Sequence, residues 1–514
     1  MAKDVLVNAG VAEVRVAVLD GGVLDQLWLE RTIGFEDGGS KRANGHTGAR
    51  RNLVGDIFLG RVQRVLPAMQ AAFINIGLER AGFLAAREAR PRTALFHDDP
   101  YTDEDRKLQI GDYVREGGEI LVQVVKDPIG DKGARLSANI TLAGRLLILV
   151  ANSPGVALSR RIDDETERAR LTAILERILA DNTGELVRGT GFIVRTAAIG
   201  MGDAELKDDA LRLSHVWRTI TEKRVWAGAP SALHTDLGPI ERALRDEVDG
   251  TISRIVIDDR AAVGIARDYA MRAMPGMAGL IEHYDGREPL FEHFGIEDEI
   301  ESLSAPRVSL PSGGWITIEA TEALTAIDVN SGSYVEGVGL EDTSLKVNLE
   351  AAEAIGRQLR LRGIGGLIVI DFIHLGDPAN SGRVIEALQE ACTKGRVPSQ
   401  ILGMSEFGLV EMTRKRVRDP LAIRTTEDCR RCDGHGRRKT VETVALEIVR
   451  RMERAAAAAP GKLLTVRAAP GVLRWLEGHE PEIREGLVKR GGAQLRFEPT
   501  QEGRREIFEV STGT

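Results

Sequence analysis

A chain of 514 residues, 43% hydrophobic and 28% charged, is long enough for several domains of about 150 residues, each able to bury a core. Its 77 acidic against 69 basic side chains, net −8, exclude a global pull toward nucleic acid, so any such partner must be held by local basic patches. Three cysteines exclude a disulfide scaffold, and no apolar run reaches signal-peptide length or the ~18 residues of a membrane span, so a soluble cytoplasmic protein is expected.

The first thirty residues read as short strands: "VRVAVLD" alternates apolar and polar positions, and "GGVLDQLWLE" follows through a glycine turn. Residues 34–51, glycine-rich and polar, read as a flexible loop or insertion. From Asp56 to about Ser137, "DIFLGRVQRVL", "QAAFINIG", "RAGFLAA" and "EILVQVVKD" are short strands parted by glycine turns, the pattern of a small closed β-barrel. Helical periodicity runs from Asp163 to about Leu179, a strand covers Gly191–Thr196, and residues 203–300 mix helices and strands. Residues 306–425 read as strand, strand, helix, strand. The helix runs roughly from Thr343 to Arg362, with Leu349, Ala352, Ile355 and Leu359 on one face. A cysteine segment follows, then a helix from about Thr440 whose end, "AAAAAPGK", reads as a hinge into a small terminal domain.

Two apolar runs, "LTAIDVNSG" and "GGLIVIDF", read as buried strands that each end on an acid, Asp328 and Asp371. Crevices form beyond the carboxyl ends of strands in α/β sheets. Two neighbouring carboxylates repel unless a cation sits between them, and oxygen-only ligands favour Mg²⁺. Such an ion orients water and offsets charge on a phosphate. Asn330 shares a strand face with Asp328 and could orient a carboxylate or donate to a phosphate; the alternative is that both acids cap turns. Arg357, Arg360 and Arg362 before Asp371, and Arg414, Lys415, Arg416 and Arg418 after it, frame the pair or form solvated faces.

"DCRRCDGHG" sets Cys429 and Cys432 in CxxC spacing, half of a zinc site. Cys392 lies far upstream in a helical pattern, and His435 alone does not complete the set. A second copy of the chain sharing one Zn²⁺ is the simplest completion; a redox pair and a chance pair of buried thiols stay open. Phe73, Phe83 and Lys132 could stack bases and hold a nucleic-acid backbone, or the rings could be core. Arg195 and Thr196 pair a fork donor with a hydroxyl, which suits a terminal phosphate or marks an ordinary strand end.

The stretches "LPSGGWITIEATEALTAIDVNSG", "NLEAAEAIGRQLRLRGIGGLIVIDFI", "FGLVEMTRKR" and the CxxC turn, in that order, resemble the ribonuclease E/ribonuclease G family of bacterial endoribonucleases over nearly the whole chain. The resemblance implies a multidomain α+β architecture. A ribonuclease H-like domain is split between 1–50, which bears the 34–51 insertion, and 240–303. An OB-type RNA-binding barrel occupies 51–138 and a 5′-phosphate sensor 139–239. A deoxyribonuclease I-like catalytic domain at 304–424, a zinc-link at 425–440 and a small C-terminal domain at 441–514 complete the chain.

By the same resemblance Asp328 and Asp371 hold catalytic Mg²⁺, with Asn330 assisting. Cleavage of single-stranded RNA leaves 5′-phosphate products, in rRNA processing and mRNA decay. Phe73, Phe83 and Lys132 grip RNA, and Gly144, Ile148, Arg195 and Thr196 form a pocket preferring 5′-monophosphorylated substrates. Cys429 and Cys432 share a structural Zn²⁺ between two chains, giving a homodimer or a dimer of dimers. A non-catalytic RNA-binding platform is the alternative, and a metal phosphatase a weaker third. Departures are Arg430, where the family turn usually has Pro, the long 34–51 loop, and the lack of the long carboxyl-terminal scaffold of E-type members.

Overall fold

The computed structural model describes residues 3–31, 52–91, 108–128, 132–181, 184–332, 339–395, 397–405, 407–427, 429, 431–432, 434, 436–489, 492, 494–500 and 504–513. The 34–51 loop, Arg430 and His435 lie outside the described residues. The chain folds as two compact units, Met1–Leu421 and Ala422–Thr514.

In the first unit β1 (Lys3–Ala9), β2 (Glu13–Asp20) and β3 (Val23–Arg31) form an antiparallel meander. A barrel follows from β4 (Ile57–Leu66), β5 (Ala71–Asn75), β6 (Gly82–Ala85), β7 (Glu119–Lys126) and β8 (Arg135–Ser137). The order β4-β5-β6-β8-β7 closes through a β4–β7 pairing, and β6 and β8 run parallel. Alternation along each strand sends Val62, Ala72, Ile74, Leu84, Val122, Val124 and Leu136 inward. Gly82 permits the tight wall: a Cβ there would lie 2.5 Å from Leu136 Cδ1.

Next, β9 (Thr141–Ala143), β10 (Leu147–Val150), β11 (Gly155–Leu158) and β12 (Gly191–Val194) form a sheet of order β11-β12-β10-β9. Helices Glu165–Ala180 and Asp203–Trp226 bury Leu171, Leu175, Leu206 and Trp217 against its core. β13 (Ser231–His234) joins β4 at the barrel. β14 (Ile252–Ile257) and β15 (Ile281–His283) return to the meander, with β14 parallel to β1, giving β15-β14-β1-β2-β3.

The last sheet of this unit contains β16 (Arg307–Ser309), β17 (Trp315–Ala320), β18 (Thr325–Asn330), β19 (Gly366–Asp371), β20 (Ser399–Met404) and β21 (Leu409–Arg414), in the order β16-β17-β18-β19-β21-β20. Helix Leu340–Leu361 makes the crossover between parallel β18 and β19. It buries Val347, Ala351, Ala352, Ile355 and Leu359 under Ile327, Val329, Ile368 and Ile370. β18 and β19 are buried on this face alone, not throughout as the apolar runs indicate. Ala326, Asp328, Val369 and Asp371 sit on the other face, where Leu367 is 42% exposed. Every neighbour pair in this sheet except β18–β19 is antiparallel, and such sheets bear one wet face. Among the described residues the segment also holds more elements than expected: six strands, and the helix Pro378–Thr393 as well as the crossover helix.

In the second unit, β22 (Leu463–Ala468), β23 (Gln494–Pro499) and β24 (Glu509–Thr512) form a sheet of order β23-β22-β24. Helix Val441–Ala458 starts at Thr440, whose Oγ1 accepts from Thr443 N at 3.1 Å. Its apolar stripe, Val444, Ile448, Met452 and Ala456, packs on Leu464 and Val466 in one core. The alanine run therefore ends a helix integral to this unit, and is not a hinge leading into it. Among the described residues no helix is long and apolar enough to cross a membrane.

Candidate functional site

The parallel register of β18 and β19 sets Asp328 directly opposite Asp371 on the open face of the sheet, one strand spacing (~4.8 Å) apart. Asn330, two residues on and on the same face, donates from Nδ2 to Asp328 Oδ2 at 2.8 Å. Among the described residues no lysine, arginine or histidine pairs with either acid, and no third carboxylate, histidine or cysteine joins them as a ligand set.

Two residues that the sequence reading did not single out fix the chain beyond Asp371. Asn348 is fully buried on the crossover helix; its amide donates to Ile373 O at 2.7 Å and accepts from Ile373 N at 3.0 Å. Glu341, in the first turn of that helix, accepts from Gly376 N, Asp377 N and Asn380 Nδ2 at 2.9, 3.2 and 3.0 Å. Those donors, Gly376 N first, hold its carboxyl below the usual range. The only sequence signal is an asparagine set three and four residues from Leu345 and Ala352 on the apolar stripe.

The flanking arginines do not frame the acids. Arg414 pairs in register with Gly366, at the opposite end of β19 from Asp371, and donates to Ile364 O. Arg360 is 8% exposed at its side chain and binds Asp25 at 2.6 Å. Arg357 donates to Leu24 O, Arg362 to Ala305 O, Arg416 to Gly365 O and Arg418 to Leu27 O. Arg357, Arg360 and Arg418 fasten the sheet to the β3 region, whereas Arg362, Arg414 and Arg416 bind carbonyls of Ala305, Ile364 and Gly365. Their spacing is that of a basic patch, but they go to backbone carbonyls and, for Arg357 and Arg360, to Glu299 and Asp25.

The proposed phosphate residues do converge. Gly144 lies in the β9–β10 turn, Ile148 on β10 opposite Ile193 of β12, and Arg195 and Thr196 follow β12. The turn is built on the buried carboxylate of Asp209, which accepts from Leu146 N and Leu147 N at 2.8 and 2.9 Å and pairs with Arg212. A Cβ at Gly144 would fall 2.6 Å from that carboxylate, so only glycine fits. Arg195 is already engaged within the fold: it donates to Gly144 O at 2.6 Å and to Asp246 Oδ1 at 2.7 Å. Asp246 also accepts both Nε and Nη2 of Arg245.

Phe73 and Phe83 are register partners on β5 and β6, with ring centroids 6.0 Å apart in an edge-to-face pose. Both are half-buried and lie outside the barrel core, which removes the core alternative. Lys132 is exposed just before β8.

In the second unit the CxxC turn is closed by Cys432 N donating to Cys429 O at 3.1 Å, and Gly436 N donates to Cys432 Sγ at 3.3 Å. The Cys429 thiol is held below its usual value by the backbone N–H of Arg431, then by the N–H and thiol of Cys432. Cys392 is buried in a helix of the first unit, and burial pushes its thiol up.

Residues 141–417 match the model of the "Ribonuclease E/G family". The chain is 40% identical over 514 residues to Ribonuclease G of Escherichia coli K12, covering 99% of each. It is 37% identical to Ribonuclease G of Haemophilus influenzae, over 95% of this chain and 96% of the relative. Ribonuclease E of H. influenzae is 35% identical over 99% of this chain but only 52% of its own length. The chain belongs to the ribonuclease E/G family. The matched segment holds Asp328, Asn330, Asp371, Gly144, Ile148, Arg195 and Thr196; the barrel strands β4–β8 and the CxxC turn fall outside it and within the span of the full-length ribonuclease G relatives.

Asp246 supplies a test of the arginine cluster. Burial raises its carboxyl, yet the hydrogen bonds and charges of Arg245 and Arg195 outweigh this and lower it from the ordinary 3.8 to about 2. A depressed acid stabilises the fold above its unfolded pKa, and that contribution fades as pH falls from about 4 toward 2. Asp246→Asn should lower Tm at neutral pH, with the gap to wild type narrowing through that acid window. Thermal melts at stepped pH decide it; a gap constant across the window refutes the pairing.

Proposed function

We propose that this chain is a Mg²⁺-dependent endoribonuclease that cuts single-stranded RNA, in rRNA processing and mRNA decay in the cytoplasm, and prefers 5′-monophosphorylated substrates. The observation that carries it is the register of Asp328 against Asp371 on an open sheet face, in a chain 40% identical to a Ribonuclease G. The donor set fits Mg²⁺: all the groups are oxygens, and two carboxylates leave positions for waters and a phosphate oxygen. Held by Asp328 and Asp371, the ion would offset charge on the scissile phosphate and acidify a water. Asn330 fixes the Asp328 carboxylate with one amide hydrogen and has a second to offer a phosphate oxygen. Asn348 and Glu341 keep the chain beyond Asp371 from swinging. The strand order and the parallel β6–β8 pair support the reading of the barrel as OB-type, gripping RNA through Phe73, Phe83 and Lys132.

Asp328→Asn or Asp371→Asn should cut cleavage at least about a hundredfold while leaving RNA binding intact, since each removes a charge that acts at the reacting phosphate. Turnover on a short single-stranded RNA at saturating Mg²⁺ is the measurement, and near-normal turnover by either variant rejects the site.

At the 5′ end, Arg195 keeps three of its five N–H donors beyond those given to Gly144 and Asp246, and Thr196 adds a hydroxyl. Arg195→Ala should slow cleavage of 5′-monophosphorylated RNA about tenfold, from a charge-assisted bond of roughly 1.5–3 kcal/mol. Cleavage of 5′-hydroxyl RNA should hold. Equal losses on the two substrates would assign Arg195 to folding instead.

Cys429 and Cys432 supply half of a four-thiolate zinc site, so two copies of the chain would share one Zn²⁺ in a dimer or dimer of dimers. Metal analysis of the purified protein should find one Zn²⁺ for every two chains. Cys432→Ser should lose the ion and dissociate the oligomer. One ion per chain, or none, discards the shared site.

A further inference from the structure

We infer that Arg307, laid on the ring of Trp315, holds a phosphate on the open face of the last sheet, taking the RNA linkage next to the one that is cut. The inference rests on the proposed nuclease site at Asp328 and Asp371, and adds to it two residues from the edge of that sheet.

The strand register carries it. Arg307 on the edge strand β16 lies opposite Thr317 of β17, Thr317 opposite Asp328 of β18, and Asp328 opposite Asp371 of β19. Residues directly opposite in a ladder share a face. Ile316 and Ile318 alternate with Trp315 and Thr317 and are buried in the core beneath, so Trp315 and Arg307 stand on the open face with the acids. Two strand spacings, about 10 Å, separate the backbones of Arg307 and Asp328. The guanidinium leans along the sheet until its Cζ lies 3.8 Å from the centroid of the Trp315 ring, and Trp315 is the register partner of Asn330. It therefore sits one strand beyond the amide that the nuclease reading gives to the scissile phosphate, on the side away from Asp371. On the other flank the row continues to apolar Leu409, so a linkage held by charge is expected on one side of the cut.

The ring under the guanidinium is fixed from two directions. A Cβ at Gly332, whose φ is +63°, would come within 3.1 Å of Trp315 Cζ3 and 2.6 Å of Gly313 O, so the chain leaving Asn330 closes against the edge of the ring. The turn from β16 to β17 is tied to the crossover helix by Ser312 N, which donates to Glu350 Oε2 at 2.9 Å. Arg307 itself is exposed, and among the described residues no carboxylate pairs with it and no acceptor takes its N–H groups. A guanidinium stacked by its face keeps its in-plane donors directed outward, the fork that takes two oxygens of a phosphate.

Cleavage of a short single-stranded RNA bearing a 5′-hydroxyl tests this, with the full-length protein, Mg²⁺ and a set of oligonucleotides in which one linkage at a time, never the scissile one, is an uncharged methylphosphonate. For wild type, neutralising one linkage adjoining the cut should lower kcat/KM about fivefold, the worth of one charge-assisted contact at an exposed site. Arg307→Gln should lose about as much on the all-phosphate RNA and nothing further at that linkage, because the two changes remove the same contact. If Arg307→Gln cleaves like wild type, or if it loses activity while each neutralised linkage still costs it as much as it costs wild type, Arg307 holds no phosphate and the pair is a surface cation–π contact. If wild type leaves the all-phosphate RNA uncut, the nuclease reading itself falls.

Discussion

The structure of the candidate site depends on keeping two like charges one strand apart. Asp328 and Asp371 are register partners in a parallel pair, so no side-chain motion can separate their backbones. Their mutual repulsion is opposed from below. Ile327, Val329, Ile368 and Ile370 press onto the crossover helix, and burying such a side chain is worth about 1.5–3 kcal/mol. A covered lower face holds the strands together while an open upper face leaves the acids in water, where an ion and a phosphate can reach them. The parallel step between β18 and β19 therefore places the two acids together, and the buried face beneath them keeps the strands in register.

The distribution of arginine follows from the same need. A guanidinium beside either aspartate would neutralise it. The arginines of the crossover helix, of β21 and of the chain after it go instead to backbone carbonyls, to Asp25 and to Glu299. Asn330, the group that does touch Asp328, is neutral and leaves its charge in place.

Much of this is legible in the sequence, and the failures have physical causes. The barrel strands show in their alternation and glycine turns, and the two aspartates in their place at strand ends. The open face of β18 and β19 does not show, because Ala326, Leu367 and Val369 make the runs apolar on both sides although one side is wet. The arginines read as a patch because spacing reports helix face and not the carbonyls that a long side chain can reach. Asp246 is 51 residues from Arg195, and only the return of the chain against the β9–β10 turn brings them together. Asn348 reads as an imperfection in an apolar stripe until Ile373 is seen to need both of its amide atoms.

Arg195, beside the β9–β10 turn, shows how such distant pairing alters chemistry. An unengaged guanidinium would sample many rotamers and lose that freedom on binding, whereas Arg195 is already aimed by Gly144 O and Asp246. A monophosphate arriving there would meet an oriented fork, but also the negative charge of Asp246 close by. That carboxylate is mostly buried and shared with Arg245, so it can remain satisfied if Arg195 turns part of its fork toward a ligand. Arg245 also meets Asp236 at 3.7 Å, so the two arginines stand against two carboxylates and the cluster is balanced without a ligand. A terminal phosphate there would have to compete with Asp246 for Arg195, and Asp246 would stay paired through Arg245, so no buried charge would be left alone.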